Sequence, residues 1–322
     1  MLDQDKMRKF LKNKYVLMGI LIIILAGLSF TLYQYYHQDF GIQEITPAEE
    51  DDFSVKYYLY FDEEADVEEK PLMLHPFHAG LENDDMESEE GDDGAEAYQA
   101  ARSIHGLADE IEAALLVPAL DLERLEHDTG DAPGTRDIID RYDRSFSELE
   151  AVIADAASRL EERGMEMKDD IYLFGFGYSS LFASRWMLNN PHKIERAALG
   201  SPGEWPAVPQ REYRGQKLEF PLGMSGVSSE QDEIDLLSDV SVLIFRGEED
   251  RISFLSDRRI FTDMQEDLLQ EMGGSGYDEM LDLAVELYED SPIQLRYEEY
   301  PDVDHRFNLE MHDDVIEFFR DN

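Results

Sequence analysis

Residues 170–190 read DIYLFGFGYSSLFASRWMLNN, and the change of pattern inside this stretch decides the fold class. Its first residues form a short run rich in apolar and aromatic side chains, which predicts a strand over 170–175. From 179 to 190 the apolar residues recur three and four apart, which predicts a helix. Between them stands Gly175-Phe176-Gly177, where glycine offers backbone conformations that other residues avoid. A strand that turns sharply into a helix is the first half of a β-α-β unit.

Working outward, the same alternation continues. Short apolar runs at 54–61, 70–75, 113–117, 195–200, 240–246 and 293–300 predict further strands, and amphipathic spacing predicts helices over 100–112, 137–164, 254–272, 278–290 and 309–320. Strands alternating with helices imply an α/β domain over 54–322, its sheet mostly parallel and covered on both faces. Right-handed crossovers bring the carboxyl ends of such strands to one edge, where functional groups collect. The acidic segment 253–290 reads equally as part of a lid or as an elongated crossover.

Four segments follow predicted strands: HPFHAG (75–80), GFGYSS (175–180), GEEDRI (247–252) and VDHRF (303–307). In this order they resemble the α/β-hydrolase fold family, in which an early loop gives an oxyanion amide, a G-x-S-x-G elbow gives the nucleophile, and an Asp and then a His follow. More narrowly, IYLFGF and SSLFASRWMLNNPHKIERAALGSPGEWP, with ADEIEAALLVPAL (108–120) upstream, resemble the polyhydroxybutyrate-depolymerase-like and feruloyl-esterase-like branch. The resemblance implies a catalytic triad with Asp250 as its acid and His305 as its base. It also implies an oxyanion hole from the amides of Phe77 and Tyr178, and no metal or cofactor.

The chain departs from that pattern at the elbow. Gly175 takes the place two before the nucleophile, Ser179 the place two after it, and Gly177 the place of the serine itself. Glycine suits the strained turn but has no oxygen to acylate. A register slipped by two residues would make Ser179 the nucleophile, with Leu181 where a small residue is expected. Unslipped, Ser179 and Ser180 are small packing and capping residues at a helix start, or His305 and Asp250 activate water directly in the room left by Gly177. In the HPFHAG loop Pro76 has no amide hydrogen, so Phe77 is the remaining donor. His75 and His78 stand three apart without a third ligand nearby, the spacing of loop residues.

Two functions are compatible with these residues. One is an esterase or depolymerase acting through Ser179, His305 and Asp250 on a small-molecule or polymeric ester. The other is a catalytically inactive domain of the same fold that binds a ligand or partner.

Composition narrows the field. The chain has 322 residues, 28 Lys and Arg against 74 Asp and Glu, a formal net charge of −46, and no cysteine. Disulfides and thiolate chemistry are excluded, and a nucleic-acid surface is not expected from so few basic residues. Self-repulsion at this charge is relieved when salt shortens the Debye length to about 3 Å at 1 M, which reads as adaptation to high salinity. A cationic partner is the other reading of the same charge. The cluster LENDDMESEEGDDGA (81–95) lacks the ordered spacing of a calcium loop.

Residues 15–36, YVLMGILIIILAGLSFTLYQYY, carry no charge. At about 1.5 Å per residue this run spans a hydrocarbon core of about 30 Å. It is longer than the apolar region of a cleaved signal peptide. The segment 1–14 holds five Lys or Arg and two Asp, and an acidic stretch follows the run. The expectation is a single-pass anchor with a cytoplasmic amino terminus, an acidic linker over 37–53 and an extracytoplasmic main domain.

Overall fold

Side chains of the central strands alternate between two buried faces. On β3 (Lys70–Leu74), Leu72 and Leu74 join one apolar cluster and Met73 the other. On β10 (Ser241–Gly247), Val242 and Ile244 oppose Leu243 and Phe245 in the same way. Strands hydrophobic on both faces require cover on both, which is why the run of predicted strands had to alternate with helices.

The computed structural model describes residues 41–48, 51–62, 69–78, 93–120, 135–226, 236–254, 263–273 and 276–321. The chain divides into two units at Gly41 and Ile42. The expected anchor over 15–36 and the basic segment before it lie outside the described residues, as does most of the acidic 81–95 cluster. Among the described residues no helix is long and apolar enough to cross a membrane.

The second unit is built on one sheet. Its remaining strands are β1 (Gln43–Ile45), β2 (Tyr57–Tyr60), β4 (Phe77–His78), β5 (Ala114–Leu120), β6 (Met167–Phe176), β7 (Ile194–Gly200) and β11 (Gln294–Tyr300). Their order is β1-β2-β5-β3-β6-β7-β10-β11, with the short β4 paired to β5. From β5 to β11 every neighbouring pair is parallel, and β2 is antiparallel to both its neighbours.

Helices α1 (Asp93–Glu110) and α6 (Leu309–Arg320) cover one face through Ala101, Leu107, Met311 and Phe319. Helices α2 (Thr135–Glu162), α3 (Tyr178–Asn189) and α5 (Tyr277–Glu289) cover the other through Leu149, Val152, Phe182, Trp186 and Leu287. Helix α4 (Asp263–Gly273) precedes α5. Because α5 buries Met280, Ala284 and Tyr288 in the core between two parallel strands, this part of 253–290 is a crossover.

All seven expected strands and six expected helices have counterparts. The differences are local. Part of the stretch expected to be linker, 37–53, adds the edge strand β1 and buries Phe53. The β8 (Glu212–Tyr213) and β9 (Gln216–Lys217) ribbon, like β1 and β4, is too short to produce a periodic signal.

Candidate functional site

The carboxyl end of β6 leads through one residue, Gly177, into α3. Gly177 has φ 62° and ψ −130°, a combination open mainly to glycine. Its N–H donates to the Gly200 carbonyl at 2.9 Å, and its own carbonyl accepts from the amides of Ser180 and Leu181 at 3.0 and 3.2 Å. Two residues earlier a side chain is impossible, since a Cβ on Gly175 would come within 2.5 Å of the Ser180 backbone. Helix α3 therefore rests directly against the strand, and the turn is tight.

Opposite this turn stands His305, after β11. A Cβ built on Gly177 would lie 3.2 Å from His305 Nε2, so this nitrogen faces the glycine. The other ring nitrogen, Nδ1, is 2.8 Å from Asp250 Oδ2. Asp250 follows β10 and its side chain is fully buried. Burial pushes the Asp250 carboxyl up. The His305 hydrogen bond and the Ile252 amide, 3.0 Å from Oδ1, outweigh burial and hold it below the usual carboxylate range. An ionised Asp250 accepts, so Nδ1 donates, and Nε2 is the ring nitrogen left to face Gly177.

The structure thus brings Asp250, His305 and Gly177 together and leaves Ser179 out. Ser179 is the second residue of α3, and its hydroxyl is buried without a hydrogen-bond partner. The slipped register that would make it the elbow residue is not adopted, because the left-handed backbone falls at Gly177, where no Cβ has to be accommodated. Tyr178 opens the helix, and its ring packs on Phe254 at 4.1 Å between centroids. Phe77 lies on β4, its ring 6.3 Å from that of His75.

Several site residues escaped the sequence reading. Buried Glu204 accepts from the Phe254 amide at 3.0 Å and from the Ser253 hydroxyl, and so fixes the segment after Asp250. Its only sequence signal is an isolated charge inside the apolar GSPGEWPAV. Buried Arg246, on β10, pairs with Asp278 at 3.0 Å and with Glu299, tying α5 and β11 to the strand that carries Asp250.

Beside His305 a pocket of about 570 Å³ opens between β3, β4, β6 and α1. Its walls include Phe77, Phe174, Phe176 and Phe307, with His75 and Glu96. Phe176 joins it to the site, its ring 5.0 Å from His305 and 5.8 Å from Phe307. His75 is buried, which pushes its imidazole down to about 4 against the opposing pull of the Phe174 carbonyl. Its Nδ1 donates to that carbonyl at 3.0 Å, so the ring is neutral with Nε2 unprotonated.

Among solved structures, the chain is similar to poly(aspartic acid) hydrolase-1 from Sphingomonas sp. KT-1. The TM-score is 0.59 and the identity 12%, over 87% of this chain and 99% of that one. It is also similar to a poly(3-hydroxybutyrate) depolymerase from Bordetella parapertussis, with TM-score 0.54 and 18% identity over 83% of this chain and 86% of that one. The fold is that of the α/β-hydrolases. No protein-family model matches the sequence, and no curated protein matches it. At these identities the likeness is one of α/β-hydrolase architecture, and chemistry must be argued from the residues.

Proposed function

We propose that this chain is an α/β-hydrolase-fold protein that has kept the acid, the base and the ligand pocket of a hydrolase and given up its nucleophile. It serves as a binding module, tethered through residues 15–36 with its main domain on the outer side of a membrane. The observation that carries this reading is Gly177, which occupies the strained turn in front of His305 Nε2 without any oxygen. An acyl-enzyme needs a side-chain nucleophile within reach of its base. Ser179, the other candidate, has a buried hydroxyl with no such contact.

Two of its structural neighbours are by name a hydrolase of poly(aspartic acid), a polyamide, and a depolymerase of poly(3-hydroxybutyrate), a polyester, which supports descent from an enzyme that cleaved an acyl bond in a polymer or small molecule. The apolar run at 15–36 with its basic flank supports the tether, and the net charge of −46 supports function in high salt. The intact pair between Asp250 and His305 favours a second reading, in which Nε2 deprotonates a water held in the space over Gly177.

The test is hydrolysis of short-chain p-nitrophenyl esters by the full-length chain in mild detergent and molar salt, compared with Ser179→Ala and His305→Ala. The proposal predicts no hydrolysis above the His305→Ala background. Activity abolished by both substitutions would restore the serine esterase, and activity lost only with His305→Ala would establish the water route.

A further inference from the structure

The pocket beside His305 has an unusual pairing of walls. Four phenylalanines, Phe77, Phe174, Phe176 and Phe307, supply aromatic surface. Among the described residues no Lys or Arg lines it, and its one formally charged side chain is Glu96, half-buried on α1.

From these observations we propose that the pocket binds an organic cation of the alkylated ammonium class. Aromatic faces attract such cations through their quadrupoles, and alkyl groups on nitrogen weaken hydration enough to make the exchange from water favourable. Inorganic cations of the surrounding brine hold their water more tightly and do not compete on equal terms. A carboxylate ligand, in contrast, would find no Lys or Arg among the described lining residues. His75 does not change this balance, because its buried ring is neutral at neutral pH. The cation arrives free or as the alcohol arm of an ester, since the pocket shares Phe176 with the His305 site.

The proposal rests on this pocket being the ligand site of the reading above, and it is tested separately from catalysis. Isothermal titration of the full-length chain in mild detergent and molar sodium chloride would compare choline, its uncharged isostere 3,3-dimethylbutan-1-ol, and the anion 3,3-dimethylbutanoate. Choline is expected to bind about tenfold more tightly than the alcohol, on the scale of a desolvated cation–π contact, with the anion weakest. Phe307→Ala and Glu96→Gln should each weaken choline severalfold, and Glu96→Gln should leave the alcohol unchanged. Equal affinity for choline and the alcohol would overturn the cation while leaving a binding module standing. Choline binding indifferent to both substitutions, or no binding by chain whose circular dichroism shows it folded, would also overturn it. Serine-dependent ester turnover would overturn the functional reading alone.

Discussion

The two halves of the site differ in what their backbones carry. On one side β10 and β11 deliver Asp250 and His305 in hydrogen-bonding geometry, with Arg246 and Glu204 bracing the segments behind them. On the other side β6 and α3 deliver an equally well-formed turn, with Gly175 packed against the helix, and place nothing on it. The difference teaches that the elbow is a backbone structure first. Its strain and close packing need no side chain at position 177, because glycine adopts that conformation at least cost.

The largest expected effect comes from filling the empty half. Gly177→Ser places an oxygen one bond beyond a Cβ that already lies 3.2 Å from His305 Nε2. Hydrolysis of p-nitrophenyl acetate should rise by at least about a hundredfold over the unaltered chain. Adding His305→Ala should cancel the gain. A Gly177→Ser protein that is folded and inert would mean that the two halves are not in working register.

Next in size is a pH effect at His75, which is bonded to β6, the strand of the empty half. His75 is held near 4 in the fold, against an ordinary value of 6.5. Its lowered value means that the unfolded chain takes up the proton first, so this stability is complete above about 6.5 and is lost as pH falls toward 4. Chemical denaturation in molar salt should show a loss of about 3 kcal/mol across this window from His75. His75→Asn should flatten that slope by about one proton.

Smaller again is the cost of a side chain without chemistry. Gly177→Ala must adopt φ 62° and crowd His305, and should lower stability by about 1–3 kcal/mol with no gain in hydrolysis. The smallest effect is at Ser179. Its buried hydroxyl has no partner, so Ser179→Ala should leave stability unchanged or raise it by up to about 1 kcal/mol in the same denaturation experiment.

Much of this architecture was legible in the chain. Long alternation of apolar runs with amphipathic stretches specifies a covered parallel sheet, and its topology then places residues after β3, β6, β10 and β11 along one edge. The segments holding Asp250 and His305 stand out by their position after a strand, and the resemblance to the α/β-hydrolases singles out the two residues within them. Ser179 shows the limit. Which of two nearby residues occupies a strained turn depends on backbone angles at a single position, and Gly177 and Ser179 both fit the local spacing. The pocket was not legible at all, since Phe77, Phe176 and Phe307 come from three distant segments and meet only through the crossovers. Glu204 was hidden for the same reason, its partners Ser253 and Phe254 lying about fifty residues away.

The most direct test of the central claim is covalent. Incubation of the full-length chain with a fluorophosphonate, which phosphonylates a serine activated by a neighbouring base, can be read by intact and peptide mass spectrometry. The account predicts no adduct on the unaltered chain and a single adduct at position 177 in the Gly177→Ser protein. An adduct on Ser179 of the unaltered chain, abolished by His305→Ala, would contradict it.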